Sequence, residues 1–466
     1  MKKILLAVAC CAMTLLAQAN PAHKVKINDG LTVSVEACSE SIFRIKVSPR
    51  KDFTESLMER YELIKTDWSE VKTDISDKGG VWTLKTPEYS LAINKKTGVM
   101  TVKDAKGGKV IREVRFLPEK EGLCGEMRSF INEKYADLKV ADNGGGIIGD
   151  DNGKFGEVDK HEIPAADAVS ILSFSMEDGE RFYGGGSTSR DHIQHRGEFL
   201  RMWTTYQQTE IPMPFMMSSR GWGVYNNSTR KSFFDIGNQQ KTKFNIINTF
   251  DEADFYLMMG KDMPAILNEY TLVTGRTYVL PKWAYGLCFG PNMREEQFDI
   301  LNDAVRFRQF DVPCDVFWLE PQWMEKRYDF STKKKWNYDR FSPEPYWLQD
   351  QYPKTMHNRL FIGKLRSMGF HLGLWLCEEY DLSIQEEDII AERTGGKLSG
   401  QEHWMDHLTV FMDQGVEGFK LDPARTIDNH TNWEYYNGRT DKEMHNLNQV
   451  LLPKQMRELG RKYNGK

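Results

Sequence analysis

Between Asn20 and Tyr270 the apolar residues recur at every second position, in short runs separated by turn residues. Leu31 to Val35, Phe43 to Val47, Val81 to Leu84 and Tyr89 to Ile93 all show this two-residue period, which turns alternate side chains to opposite faces of a strand. Asn94 to Gly98 supplies turn chemistry directly after one of them. A strand roughly every ten residues predicts an antiparallel sandwich. The stretch Asp142 to Gly156 has too little apolar content for an element and reads as a surface loop. It lacks the glycine and hydroxyl positions of a phosphate loop, and no glutamate stands at the twelfth place of a calcium loop.

After Pro281 the rhythm changes. Apolar runs at Trp283 to Phe289, Val316 to Leu319, Leu372 to Leu376 and Gly418 to Leu421 predict strands. Between them lie helical patterns: Phe298, Leu301 and Val305 on one face, a helix around Arg359 to Met368, and another carrying Trp404, Leu408 and Phe411. A last helix opens with Thr440 and Glu443 as a capping box, and Pro453 is expected to kink or restart it. Strands buried on both faces lose their alternation, so four successive βα units predict a parallel sheet. Four units make half of an eight-stranded barrel, whose usual length is about 250 residues. A doubly wound open sheet is the competing architecture, but no glycine-rich phosphate turn follows the first strand.

The formal net charge of −5 comes from 62 basic and 67 acidic side chains of interspersed sign, which gives no footprint for nucleic acid or an anionic surface. Lys2 and Lys3, an apolar run from Ile4 to Leu16 and Ala17-Gln18-Ala19 read as an export signal cleaved after Ala19. Cys10 and Cys11 offer a lipid anchor as the less favoured alternative. No later segment has the roughly 20 apolar residues that would span a bilayer. Cleavage would leave Cys38, Cys124, Cys288, Cys314 and Cys377, an odd number without a CxxC pair, so no disulfide framework is implied.

Reacting groups of a barrel sit at the carboxyl ends of its strands. Those positions hold Gly290-Pro291-Asn292, Glu320-Pro321-Gln322-Trp323-Met324, Cys377-Glu378-Glu379-Tyr380 and Asp422-Pro423-Ala424-Arg425. Three of the four tips carry carboxylates, with indoles beside them at Trp318, Trp323 and Trp375. There is no HExxH, no histidine pair in ligand spacing and no GxSxG elbow, so neither a metal nor another cofactor is implied. Carboxylates with aromatics suit glycoside chemistry, in which one carboxylate attacks the anomeric carbon and a second carboxylic acid protonates the leaving oxygen. Asp422 is the candidate nucleophile, because Pro423 biases it to an extended shape and Lys420 and Arg425 help to hold it ionised. A strand-end aspartate that merely caps the next loop fits the same spacing. Trp318, Trp323 and Trp375 can each face a sugar or the core. His445 lies inside a helix and reads as structural, and Lys333 to Lys335 as a solvated run. Arg190 and Asp191 read equally well as a solvated turn or as part of the active-site mouth.

Several segments resemble glycoside hydrolase family 31. Gly418-Phe419-Lys420-Leu421-Asp422 is similar to that family's nucleophile strand, and Glu443 to Leu447 to the helix after it. Arg181-Phe182-Tyr183-Gly184-Gly185-Gly186 resembles its sandwich motif, Ile211 to Phe215 with Ser218, Ser219 and Gly221 to Val224 the next segment. Pro281 to Gly286 and Asp315 to Met324 resemble the first two barrel strands. The likenesses run in order from about residue 180 to 460.

The resemblance implies a multidomain β plus α/β protein: a signal peptide over 1–19, a galactose-mutarotase-like β-sandwich over 20–275, and the first four βα units of a catalytic (β/α)₈ TIM barrel over 276–466. It implies a retaining α-glycosidase acting on oligosaccharides or glycoconjugates, with Asp422 as nucleophile and no cofactor. Glu320, Gln322, Trp323, Trp375, Lys420 and Arg425 would bind the substrate. The family's acid/base aspartate follows the sixth barrel strand, which these residues do not include. Glu320 stands where most members have a sugar-binding aspartate, one methylene shorter, and Gln322 where several glucosidases have another. α-Glucosides and α-xylosides are the first substrate expectation, with α-galactosides and α-N-acetylgalactosaminides open because of Glu320. A catalytically incomplete carbohydrate-binding protein is the alternative, and the oligomeric state is undetermined.

Overall fold

The computed structural model of the protein describes residues 20–27, 30–136, 163–188, 192–204, 211–291, 296–342, 361–377, 380–421 and 434–465. Residues 1–19 and the 142–156 stretch lie outside them. The two-residue period works as expected in the first half. Val81–Lys85 turns Trp82 and Leu84 inward, and its neighbour Tyr89–Asn94 turns Leu91 and Ile93 to the same side. The register sets Trp82 opposite Ile93 and Leu84 opposite Leu91, the cross-strand pairs that stabilise such a face.

Two antiparallel sheets result, one of seven strands from His23–Lys26 to Phe182–Ser187, the other of nine from Phe199–Met202 to Asp74–Lys78. A single core takes Val35, Phe43 and Ile45 from the first and Leu84, Val102 and Phe174 from the second, so the sheets pack face to face as a sandwich. The triple glycine is required by backbone proximity. A Cβ on Gly184 would stand 2.4 Å from the Phe215 carbonyl oxygen and one on Gly186 2.2 Å from that of Ile211. Both have positive φ (136° and 70°), at a register shift where this strand pairs with Ile211–Ser218.

Helices cover the outer faces. Met263–Thr274, capped by Asp262, packs Ile266, Tyr270 and Val273 on the seven-stranded sheet, where Tyr270 stacks on Phe215 at 3.9 Å. Gly122–Tyr135 lies on the other sheet through Met127 and Ile131.

The second half forms a parallel sheet of four strands in sequence order: Cys288–Phe289, Val316–Leu319, His371–Leu376 and Gly418–Leu421. Three details depart from the sequence reading. Lys282–Tyr285 is a turn of 3₁₀ helix, and only Cys288 and Phe289 of the first run are strand. An apolar run by itself does not separate the two, and here Tyr285 and Leu287 remain exposed. The helix Gln297–Gln309 turns Ile300 and Ala304 to the sheet, while Phe298 and Val305 are exposed, so the face marked by Phe298, Leu301 and Val305 is not the inward one. Asp441–Tyr463 runs unbroken through Pro453, because Leu447, Leu451, Gln455 and Leu459 anchor both sides of the proline and outweigh its cost of about 3 kcal/mol. The capping box at Thr440 and Glu443 is present. No helix among the described residues is long and apolar enough to cross a membrane.

The two halves are joined by specific contacts. His445 Nε2 lies 2.7 Å from the Thr204 carbonyl oxygen and its ring stacks on Trp203 at 4.0 Å. Asn446 Oδ1 accepts from the Thr204 amide (3.0 Å) and hydroxyl (3.3 Å), while its Nδ2 donates to the Met202 carbonyl. Elsewhere Arg60 and Tyr61 both donate to Glu387.

Candidate active site

In a parallel sheet, residues in register share a face. The register pairs Trp318 with Gly373, Gly373 with Gly418, and Trp375 with Lys420. Trp318, Gly373, Gly418, Trp375 and Lys420 therefore lie on one side of the sheet, and Phe317, Leu319, Leu372 and Leu374 on the other, in the core with the helices. Gly373 and Gly418 make room for the Trp318 ring: a Cβ at Gly373 would fall 1.9 Å from Trp318 Cζ3 and one at Gly418 2.9 Å from Trp318 Cη2.

Beyond the ring, polar groups begin. Glu320 follows the second strand directly, and its Oε1 accepts from Lys420 Nζ at 2.9 Å, across the intervening third strand. Both members are part-exposed, at 25% and 45%, so the pair sits at the open end of the sheet. Gly290, just past the first strand, lies beside this carboxylate, a Cβ there falling in ordinary van der Waals contact at 3.7 Å from Glu320 Oε1. Gln322 Oε1 accepts from Arg340 at 2.9 Å and is held from behind.

The indoles are distributed differently. Trp323 is completely buried, donates its indole N–H to the Trp375 carbonyl at 2.8 Å, and packs edge-on against Trp336 and Phe411. Its ring offers no open face to a sugar. Trp375 is 2% exposed and meets Tyr328 edge-on at 5.5 Å. Both rings therefore serve as supports beneath the strand tips. Trp318, half-buried over the two glycines, is the indole closest to being open.

Asp422, Arg425, Glu378, Glu379, Asn292, Arg190 and Asp191 lie outside the described residues. Leu421, the last described residue of the fourth strand, precedes Asp422 in the chain. His445 is wholly buried against Trp203 and Thr204, a structural role as expected. The lysine run is only partly solvated, since Lys334 is 7% exposed and donates to the Ser331 carbonyl at 2.6 Å. No local sequence signal marks Arg340 as the partner of Gln322, or Trp203 and Thr204 as partners of His445 and Asn446. These pairs are far apart in the chain. Among the described residues no three His, Cys, Asp or Glu side chains are grouped to hold a metal ion.

Residues 32–235 match the glycosyl hydrolase 31 N-terminal galactose mutarotase-like domain, and residues 277–466 the TIM-barrel domain of glycosyl hydrolases family 31. The α-xylosidase of Emericella nidulans is 22% identical over 354 residues, covering 69% of this chain and 43% of its own. The α-xylosidase of Saccharolobus solfataricus is 27% identical over 319 residues, 63% of this chain and 40% of its own. Among solved structures, the Flavobacterium johnsoniae GH31 dextranase complexed with glucose superposes with a TM-score of 0.67 at 17% identity, over 96% of this chain and 53% of that one. The GH31 α-xylosidase from a soil metagenome complexed with xylose gives 0.66 at 14% identity, over 96% and 63%. The chain thus spans less than half the length of these two curated relatives. With both domains of one family matched in order along the same chain, this protein belongs to glycoside hydrolase family 31.

Proposed function

We propose that the protein is a retaining α-glycosidase that removes terminal α-linked sugars through a covalent glycosyl-enzyme on Asp422. The observation that carries this reading is the Glu320–Lys420 pair at the open end of the parallel sheet, whose lysine stands on the fourth strand, two residues before Asp422 in the chain. A fixed positive charge there favours the ionised form of a neighbouring carboxylate. The carboxylate oxygen of Asp422 bonds to C1 as the bond from C1 to the glycosidic oxygen breaks, and that oxygen takes a proton from a second carboxylic acid. Water then opens the ester at C1 and returns a proton to the second group, with two inversions giving net retention. Such a partner stands about 5–5.5 Å from the nucleophile.

Glu320 is the sugar-binding carboxylate of this reading. Lys420 occupies Oε1, and among the described residues none bonds Oε2, the oxygen this reading gives to hydroxyls of the cleaved unit. α-Xylosides and α-glucosides are the leading substrates, in keeping with the names of the relatives, and the longer arm of Glu320 keeps α-galactosides and α-N-acetylgalactosaminides in the set. The same reading takes the protein to be exported, by the Lys2 to Ala19 signal. Reaction with an activated fluoro-sugar and peptide mapping tests the mechanism: the label is expected between Gly418 and Arg425, and a label elsewhere rejects Asp422. A panel of nitrophenyl α-glycosides then ranks the sugars.

A further inference from the structure

Among the described residues, three other than glycine hold a positive φ, each at 54°: Glu62, Asp311 and Tyr328. The first two end helices. Glu62 follows Leu57–Arg60, where the Leu63 amide donates to the Met58 carbonyl, and Asp311 follows Gln297–Gln309, where the Val312 amide donates to the Phe307 carbonyl in the same way. That closure uses a left-handed residue just after the last helical turn. Tyr328 ends no helix. It stands in a turn beyond Pro321–Trp323, at a conformation that glycine or asparagine takes readily and a bulky ring does not.

Its surroundings impose that conformation. Met324 bridges to Trp336 and the Glu325 amide donates to the Lys335 carbonyl at 2.9 Å, so the segment is closed at its base. Within it, the Asp329 carbonyl accepts from Cys377 Sγ at 3.6 Å, and the buried Lys334 donates to the Ser331 carbonyl at 2.6 Å. Backbone strain persists where neighbours over-determine it, and such residues gather at functional sites.

The place is the open end of the parallel sheet. Leu319 pairs with Leu374 and Lys420 with Trp375, which sets Glu320 and Lys420 on either side of Trp375, joined at 2.9 Å. The Tyr328 ring meets the Trp375 ring edge-on at 5.5 Å, with the Arg327 guanidinium 4.8 Å from its centre. Trp375 is closed off at 2% exposure, whereas Tyr328 is part-exposed. The tyrosine thus comes one indole beyond the carboxylate that the glycosidase reading gives to the cleaved unit, with apolar ring surface still open.

We propose that Tyr328 determines specificity for the leaving group, its ring packing against the first ring beyond the bond that breaks. The inference rests on the glycosidase reading and adds a preference among substrates that share one cleaved sugar: those whose leaving group carries a ring are favoured.

The test compares a nitrophenyl α-glycoside with the α-glycosyl fluoride of the same sugar on the full chain, through the xylose, glucose, galactose and N-acetylgalactosamine series. Both give the same glycosyl-enzyme, but only the first has a leaving ring. Tyr328→Asn and Tyr328→Gly both accept a left-handed φ, so either serves if the other fails to fold. In each, the ratio of kcat/KM for the nitrophenyl glycoside to that for the fluoride is expected to fall at least about threefold, chiefly through KM. Tyr328→Phe keeps the ring and should hold the ratio within about twofold of the native value. A residue that only supported Trp375 would lower both substrates together. A smaller fall in the asparagine and glycine variants, or a larger one in the phenylalanine variant, overturns the proposal while turnover by the native chain upholds the glycosidase reading. A native chain that turns over none of these substrates rejects that reading, and the role of Tyr328 with it.

Discussion

Lys420 Nζ donates to Glu320 Oε1 at 2.9 Å and so ties the tip of the fourth parallel strand to that of the second, over a third strand whose Trp375 lies in register with the lysine. Exposed pairs of this kind contribute about 0–1 kcal/mol to stability. Their effect belongs instead to the shape and charge of the sheet's open end. Lys420→Met is expected to leave the melting temperature within about 3 °C and to lower kcat/KM for aryl α-glycosides at least tenfold, about 1.4 kcal/mol of transition-state stabilisation. Steady-state kinetics beside thermal melts check this, and unchanged kcat/KM removes the pair from the proposed machinery.

The indole of Trp318 occupies the space that a side chain at Gly373 would need. Gly373→Ala should therefore destabilise the protein by about 1–3 kcal/mol through overpacking. Trp318→Leu in the same chain should restore most of the loss. Denaturant melts of the two single variants and the double variant give the coupling directly, and additive effects would contradict the steric account.

Asn446 satisfies three groups of the Met202 to Thr204 segment with one side chain. Asn446→Ala leaves the Thr204 amide without its acceptor, at about 1–3 kcal/mol. Asn446→Asp keeps the acceptor and should cost less. Amide exchange at Trp203 and Thr204 is expected to accelerate in the alanine variant before it does so elsewhere in the sandwich.

Glu387 gives the seam a pH dependence. Burial raises its affinity for a proton, but hydrogen bonds from Arg60 and Tyr61 and the charge of Arg60 outweigh this, so its pKa lies below the ordinary carboxylate range. A carboxylate more acidic in the folded than in the unfolded chain stabilises the fold above the unfolded value of about 4.3, and that contribution fades as pH falls through the lower folded value. The stability difference between the native protein and Glu387→Gln should thus be constant above about pH 5 and shrink below about pH 4. Urea melts across that range measure it, and a difference independent of pH would refute the assignment.

The local periods of the sequence determined much of this molecule. Alternation at Val81 to Leu84 and Tyr89 to Ile93 specified strands and their buried faces, because side-chain direction in a strand depends only on position. Unalternated runs such as Leu372 to Leu376 specified a parallel sheet, and reading its strand ends located Glu320 and Lys420. Thr440 and Glu443 announced their own helix start, since a capping box is closed within four residues. What the tertiary structure alone decided involves partners distant in the chain. Trp323 and Trp375 are buried supports because Trp336, Phe411 and Tyr328 arrive from other segments. Ile300 and Ala304, rather than Phe298 and Val305, face the sheet. Pro453 is carried through a helix by side chains packed on either side of it. Lys420 meets Glu320, 100 residues away, only because parallel pairing stacks their strands in register, and no local period encodes which strand lies beside which.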